Sequence, residues 1–262
     1  MKTLRALLSG MLCAVLSAAS LTAHAGRSCE SKPPTADAVE RSMALAERTA
    51  KKLDATGAQV VVLARAGQNL SEYGLRYSHL GFAYRDTNGW RVVHKLNQCG
   101  SARASIYRQG LGEFFMDDLY RYEAALVVPT EDVQARLRPA LADNARVAQL
   151  DTPAYSVVAY PWAVTYQQSN QWAIETLAMT QGSAAFTRER AQAWLKLQGY
   201  VPTTLHITAF KRLGARMTAA NVAFDDHPNE KRFNDRIETV TVDSVFAWLN
   251  RSGLAGPVQV IR

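Results

Sequence analysis

The chain has 262 residues, 48% of them hydrophobic, and a formal net charge of +7. Its Lys and Arg residues are spread along the chain rather than clustered, which argues against a nucleic-acid partner. Lys2 and Arg5 precede an apolar stretch over 6–19, and Ala23-His24-Ala25 forms a small-residue cleavage pattern. Residues 1–25 therefore read as a secretory signal peptide, too short and wrongly flanked to persist as a membrane anchor. The mature chain is expected to be periplasmic or secreted, without a stable membrane anchor. Cleavage leaves about 237 residues and lowers the charge from +7 to +5. That length suffices for one large domain or a core with an extension. The mild basic excess suits weak attraction to anionic cell-wall polymers or lipid headgroups.

In chain order, Val39, Met43, Ala46, Ala50 and Leu53 recur at helical spacing and predict a helix over 36–54, opened by Pro33-Pro34-Thr35 and closed by Gly57. The β-branched run 60–64 predicts a strand, followed by a polar loop over 65–77. Ser78 to His94 reads SHLGFAYRDTNGWRVVH, which predicts a β-hairpin turning at Asn88-Gly89. It carries an imidazole near each end, His79 and His94. Pairing Thr87 with Trp90 would set His94 opposite Ala83; a bulge or longer loop over 85–90 would bring the imidazoles closer. Strands are expected at 103–107 and 124–128, and a helix at 131–142 after Pro129-Thr130. Residues 156–160 either extend the sheet or form a loop.

Ser169-Asn170-Gln171-Trp172 starts a helix that ends at Gly182, with Ser169 or Asn170 as its N-cap. Further helices are expected at 187–199 and 207–217. A strand at 237–242 precedes a last helix capped by Asp243 or Ser244. No internal repeat or low-complexity linker is present. The pattern is an α+β core, 26–182, with a mostly helical C-terminal extension, 183–262, packed on it.

Once Cys13 leaves with the leader, Cys29 and Cys99 are the remaining cysteines. In an oxidising compartment such a pair most often forms a disulfide, worth about 4 kcal/mol for a loop of this length. The alternative, a nucleophilic thiol, fits neither context well. The mature-chain histidines show no C-x-x-C or H-E-x-x-H spacing, so neither a metal nor another cofactor is expected. Asp225-Asp226-His227 reads as solvated turn chemistry, with cation binding as its alternative.

Acyl transfer needs a nucleophile, a base within hydrogen-bond reach and a group to orient the base. The candidates are Ser169 as nucleophile, His79 as base and His94 as orienting partner. Tyr166 could sit near a developing oxyanion or be an ordinary packed aromatic. Trp172 could floor a binding groove or belong to the helix core. The S-H-x-G strand, glycine-containing turn and returning histidine resemble the papain-fold, NlpC-like amidases and peptidases of bacterial cell walls. The order is similar to their circularly permuted branch, which includes the lecithin:retinol acyltransferase-like proteins. That resemblance implies a papain-like core over roughly half the mature chain, with the nucleophile at an N-C-x-x-[F/W]-like helix start. Ser169 stands where the family pattern has cysteine. The whole chain also resembles an uncharacterised family of exported Gram-negative proteins, a domain of unknown function.

Two functions follow from these resemblances. One is an amide or ester acyl hydrolase or transferase acting on envelope material. The other is an inactive papain-fold protein that binds cell-envelope peptide, glycan or lipid. A thiol near pKa 8.5 is readily activated by a helix N-terminus, whereas a serine requires closely aligned proton removal.

Overall fold

The computed structural model describes residues 33–117, 119–182 and 184–262. The expected signal peptide, 1–25, and Cys29 lie outside the described residues. The architecture is α+β, with a six-stranded antiparallel sheet, a separate two-stranded ribbon and nine helices among the described residues.

Helix α1 (Ala36–Ala55) begins where the Thr35 hydroxyl accepts from the Ala38 amide at 3.2 Å. Its buried face is Ser42, Leu45, Ala46, Thr49 and Leu53. This face is rotated from the expected stripe, and Met43 is half exposed. The Ser42 hydroxyl, donating to Phe115 O at 3.1 Å, helps set that rotation.

Strand β1 (Val60–Ala66) is buried throughout because β2 (His79–Asp86) and β5 (Arg121–Val127) flank it and helices cover both faces. This explains its continuous apolar run. Strands β3 (Gly89–Asn97) and β4 (Ala104–Gly110) complete one side of the sheet. The expected hairpin is present, but its centre is Thr87-Asn88, and Gly89 (φ 106°) opens the return strand. Phe82 pairs with Val93, so His94 lies two residues closer to His79 than the simple register places it.

Helices α2 (Leu111–Phe115), α3 (Glu131–Ala142) and α4 (Asn144–Ala148) lead to a loop over 149–168, which includes the 156–160 run. Helix α5 (Ser169–Gln181) is capped by Gln168 rather than Ser169 or Asn170: the Gln168 Oε1 accepts from the Asn170 amide at 3.0 Å. Its first eleven residues are all buried, because it packs in the middle of the larger core cluster against β2 and β3. Helix α6 (Arg188–Leu197) crosses it through a buried polar network. Glu175 binds Arg188 (2.8 Å), Gln192 (2.7 Å) and Gln167 (2.6 Å), and Gln167 accepts from Lys95 (2.8 Å). Buried charges of this kind persist only when paired and fully hydrogen-bonded.

The C-terminal region is less helical than expected. Strands β6 (Thr203–His206) and β7 (Arg236–Thr239) form the ribbon, with α7 (Ala209–Thr218) and α8 (Asn229–Arg232) between them. Helix α9 (Val242–Arg251) starts in a capping box between Thr241 and Ser244, earlier than a cap at Asp243 or Ser244 would place it. The final strand, β8 (Gln259–Ile261), joins the main sheet beside β5. The C-terminal segment is thus part of the core sheet; three residues are too short a run to signal this by periodicity.

Candidate functional site

Strand alternation sends Leu80 and Phe82 into the core shared with α5, and His79 to the face covered by α1 and α2. His94 points the same way. Gly81 permits this, since a Cβ placed there would come within 2.9 Å of His94 Cβ. The imidazoles meet edge to face, with His79 Nε2 2.8 Å from His94 Nδ1. His94 Nε2 lies 2.8 Å from Gln109 Oε1, and the Phe114 ring packs against both imidazoles. An amide oxygen only accepts, so His94 carries its proton on Nε2 and receives the His79 Nε2–H at Nδ1. That leaves His79 Nδ1 as a lone pair for whatever meets it in the cleft.

Arg65 adds to the effect of burial on the pair. It pairs with His79 across β1 and β2, stacks over Phe114, and donates to Phe114 O and Asp117. Burial, then the Arg65 charge, then His94 holds His79 well below the usual imidazole range. Burial and then Arg65 push His94 down to about 3, against the Gln109 hydrogen bond. Both rings are therefore neutral at pH 7.

A cleft of about 660 Å³ reaches His79 but not the buried His94, between the sheet and the C-terminal ribbon. Its polar end includes Arg65, His79, Tyr155, Ser169 and Asn170. Its apolar wall includes Leu75, Val158, Leu205, Ile207 and Phe224, which belong to a small cluster under the ribbon. Asn170 fastens the start of α5 to the histidine strand. Its Oδ1 accepts from Leu80 N at 3.0 Å, while its Nδ2 donates to Val240 O (3.3 Å) and Ser78 O (3.4 Å).

Of the expected site residues, the structure brings His79 and His94 into direct contact. Ser169 lines the same cleft, but its hydroxyl and backbone amide hydrogen-bond the buried Tyr155 phenol, whose pKa burial raises. Tyr166 lies outside the cleft lining and reaches Asp225 at 3.3 Å. Trp172 is fully buried, with Nε1 donating to Val147 O at 3.1 Å. It is a core residue and not a groove floor, because α5 is covered on every side. Cys99 lines the cleft, while its expected partner Cys29 falls outside the described residues.

Asp226 and His227 are not solvated. His227 bonds Asp226 (2.9 Å) and Glu238 O (2.9 Å), and Asp226 accepts from Tyr160 N, so the pair ties the turn to the ribbon. No group of three or more potential metal ligands occurs among the described residues.

Arg65, Gln109 and Tyr155 were absent from the sequence candidates. Gln109 pairs with Val92 and so shares the face of His94, but it lies past the expected end of that strand at 107. Nothing matches this chain among the curated proteins or among the solved structures. Residues 52–249 match the family described as "Uncharacterized protein conserved in bacteria (DUF2145)", and the chain belongs to that family.

Proposed function

We propose that the cleft binds an envelope ligand without turning it over. The ligand would carry a hydrogen-bond donor for His79 Nδ1 and an apolar portion for the Leu205–Ile207–Phe224 wall. The observation that carries this reading is the neutral His79–His94–Gln109 chain beside Arg65. A serine nucleophile needs a base that becomes an imidazolium, stabilised by its orienting group. Here the orienting group is another neutral imidazole ending on a neutral amide, and a guanidinium opposes the charge. A neutral acceptor at the end of an apolar cleft is suited to recognition.

The reading retains a permuted papain-like plan as its framework. The order of β1, the histidine hairpin and α5 supports that plan, as does the Asn170 link between α5 and β2. The same link favours a second reading, an amide or ester acyl hydrolase or transferase using Ser169, His79 and His94, because it draws Ser169 and His79 toward one cleft. Calorimetric titration with muropeptides and with a lysophospholipid, followed by mass spectrometry of the probe, separates the two. Saturable binding with the probe intact supports the binding reading. A product lost in both Ser169→Ala and His79→Ala replaces it with the hydrolase, and absence of binding to either probe sinks it.

Export and a Cys29–Cys99 bond belong to the same proposal. Intact-mass analysis after non-reducing alkylation should give a chain lacking its first 25 residues or so, with both cysteines unmodified. Alkylated thiols in exported protein would remove the bond from the account.

A further inference from the structure

We infer that α7 is an interfacial helix that seats the protein on an anionic lipid bilayer. Phe210, Leu213 and Met217 fall at i, i+3 and i+7 and share one helix face. They are 85%, 58% and 63% exposed. The opposite side of α7 is turned to the protein. There Arg212 donates to Ile207 O and, at 2.6 Å, to Asp235, while Ala215 lines the cleft. A surface helix of a globular protein ordinarily buries its apolar face and exposes its polar one; α7 does the reverse.

The surroundings extend this pattern. Phe233, 69% exposed, precedes the turn in which Asp235 O accepts from Ile207 N at 3.0 Å, so it flanks the N-terminal end of α7. Helix α7 carries Lys211, Arg212 and Arg216 and no acidic residue. Lys211 pairs with Glu72 and Arg212 with Asp235, while Arg216 is exposed; Arg232 and the exposed Arg236 lie in the adjoining segment. An apolar stripe accompanied by the exposed Arg216 and Arg236 matches a membrane interface, where apolar side chains enter the acyl boundary and basic ones meet anionic headgroups. It suits a second copy of the same face less well, since that would bring the exposed Arg216 and Arg236 of both copies together. This surface is independent of what the cleft binds.

The test is co-sedimentation of the full chain with vesicles of phosphatidylcholine alone and of phosphatidylcholine mixed with phosphatidylglycerol. Binding to the anionic vesicles should be at least about tenfold tighter and should weaken with salt. Combined Phe210→Ser, Leu213→Ser and Met217→Ser should lower it about tenfold or more at unchanged circular dichroism, and Arg216→Glu several-fold. Leu213→Trp offers a readout that does not rely on loss: its added fluorescence over wild type should shift to the blue on anionic vesicles only. Equal binding to both vesicle types overturns the inference, as does an unshifted signal from the Leu213→Trp variant. Binding that ignores the stripe, as insertion of residues 1–25 would give, overturns it too. So does a stripe-dependent dimer that fails to bind vesicles.

Discussion

Gln109→Glu perturbs the histidine pair by charge alone. It keeps the side-chain shape and the acceptor oxygen 2.8 Å from His94 Nε2, and adds one negative charge. A unit charge about 4 Å from an imidazolium in a half-buried setting is worth about 4 kcal/mol, or about 3 pKa units. His94, held at about 3 in the native protein, should therefore titrate near 6 in the variant. NMR titration of the imidazole Cε1–H signals reads this directly. Stability supplies a second readout. Both histidines have folded-state values below that of the unfolded chain, so the unfolded chain takes up protons first as the pH falls. Their contribution is complete above about pH 6.5 and is lost progressively toward pH 3. At pH 5 the His94 share of that loss is about 2 kcal/mol in wild type and under about 1 kcal/mol in Gln109→Glu. A wild-type His94 that titrates near 6.5, or a variant still near 3, would refute the electrostatic reasoning.

Three other substitutions address the supports of the site. Gly81→Ala would place a Cβ 2.9 Å from both His94 Cβ and Val92 Cγ1, so urea denaturation should show a loss of about 1–3 kcal/mol and the two histidines should titrate independently; an unchanged protein would mean the strands do not pack this closely. Asn170→Ala removes the acceptor for Leu80 N and should cost about 1–3 kcal/mol, with weaker ligand binding in the cleft. If stability and binding both hold, Asn170 does not join α5 to the histidine strand. Glu175→Gln leaves the Arg188 guanidinium buried without its counter-charge, and thermal or urea melts should show about 3–5 kcal/mol of destabilisation; a cost under about 1 kcal/mol would contradict a dry network.

The fold was legible where local pattern and tertiary context agree. The uninterrupted apolar run of β1 reported a strand, and the Asn-Gly pair reported a hairpin. The turn centre was not readable, because a glycine with positive φ suits both a turn position and the first residue of the return strand. That ambiguity hid the register that joins the two histidines. Arg65 looked like the start of a polar loop; pairing with β2 and β5 carries β1 through it and buries it. Gln109 lay beyond the expected end of β4, since Arg108-Gln109-Gly110 has little strand propensity of its own and is held by β3. Tyr155 sits in an aperiodic loop. Trp172 carried the right spacing for a helix face, but spacing does not say that α5 is buried all round.

His79 is proposed to serve as a neutral acceptor and not to activate Ser169. Labelling of native protein with a fluorophosphonate, which captures activated serines, tests it most directly when peptide mass spectrometry locates the adduct. Ser169 is expected to stay unmodified at neutral pH in folded protein whose cleft binds its ligand. Stoichiometric labelling of Ser169 that disappears in His79→Ala would contradict it.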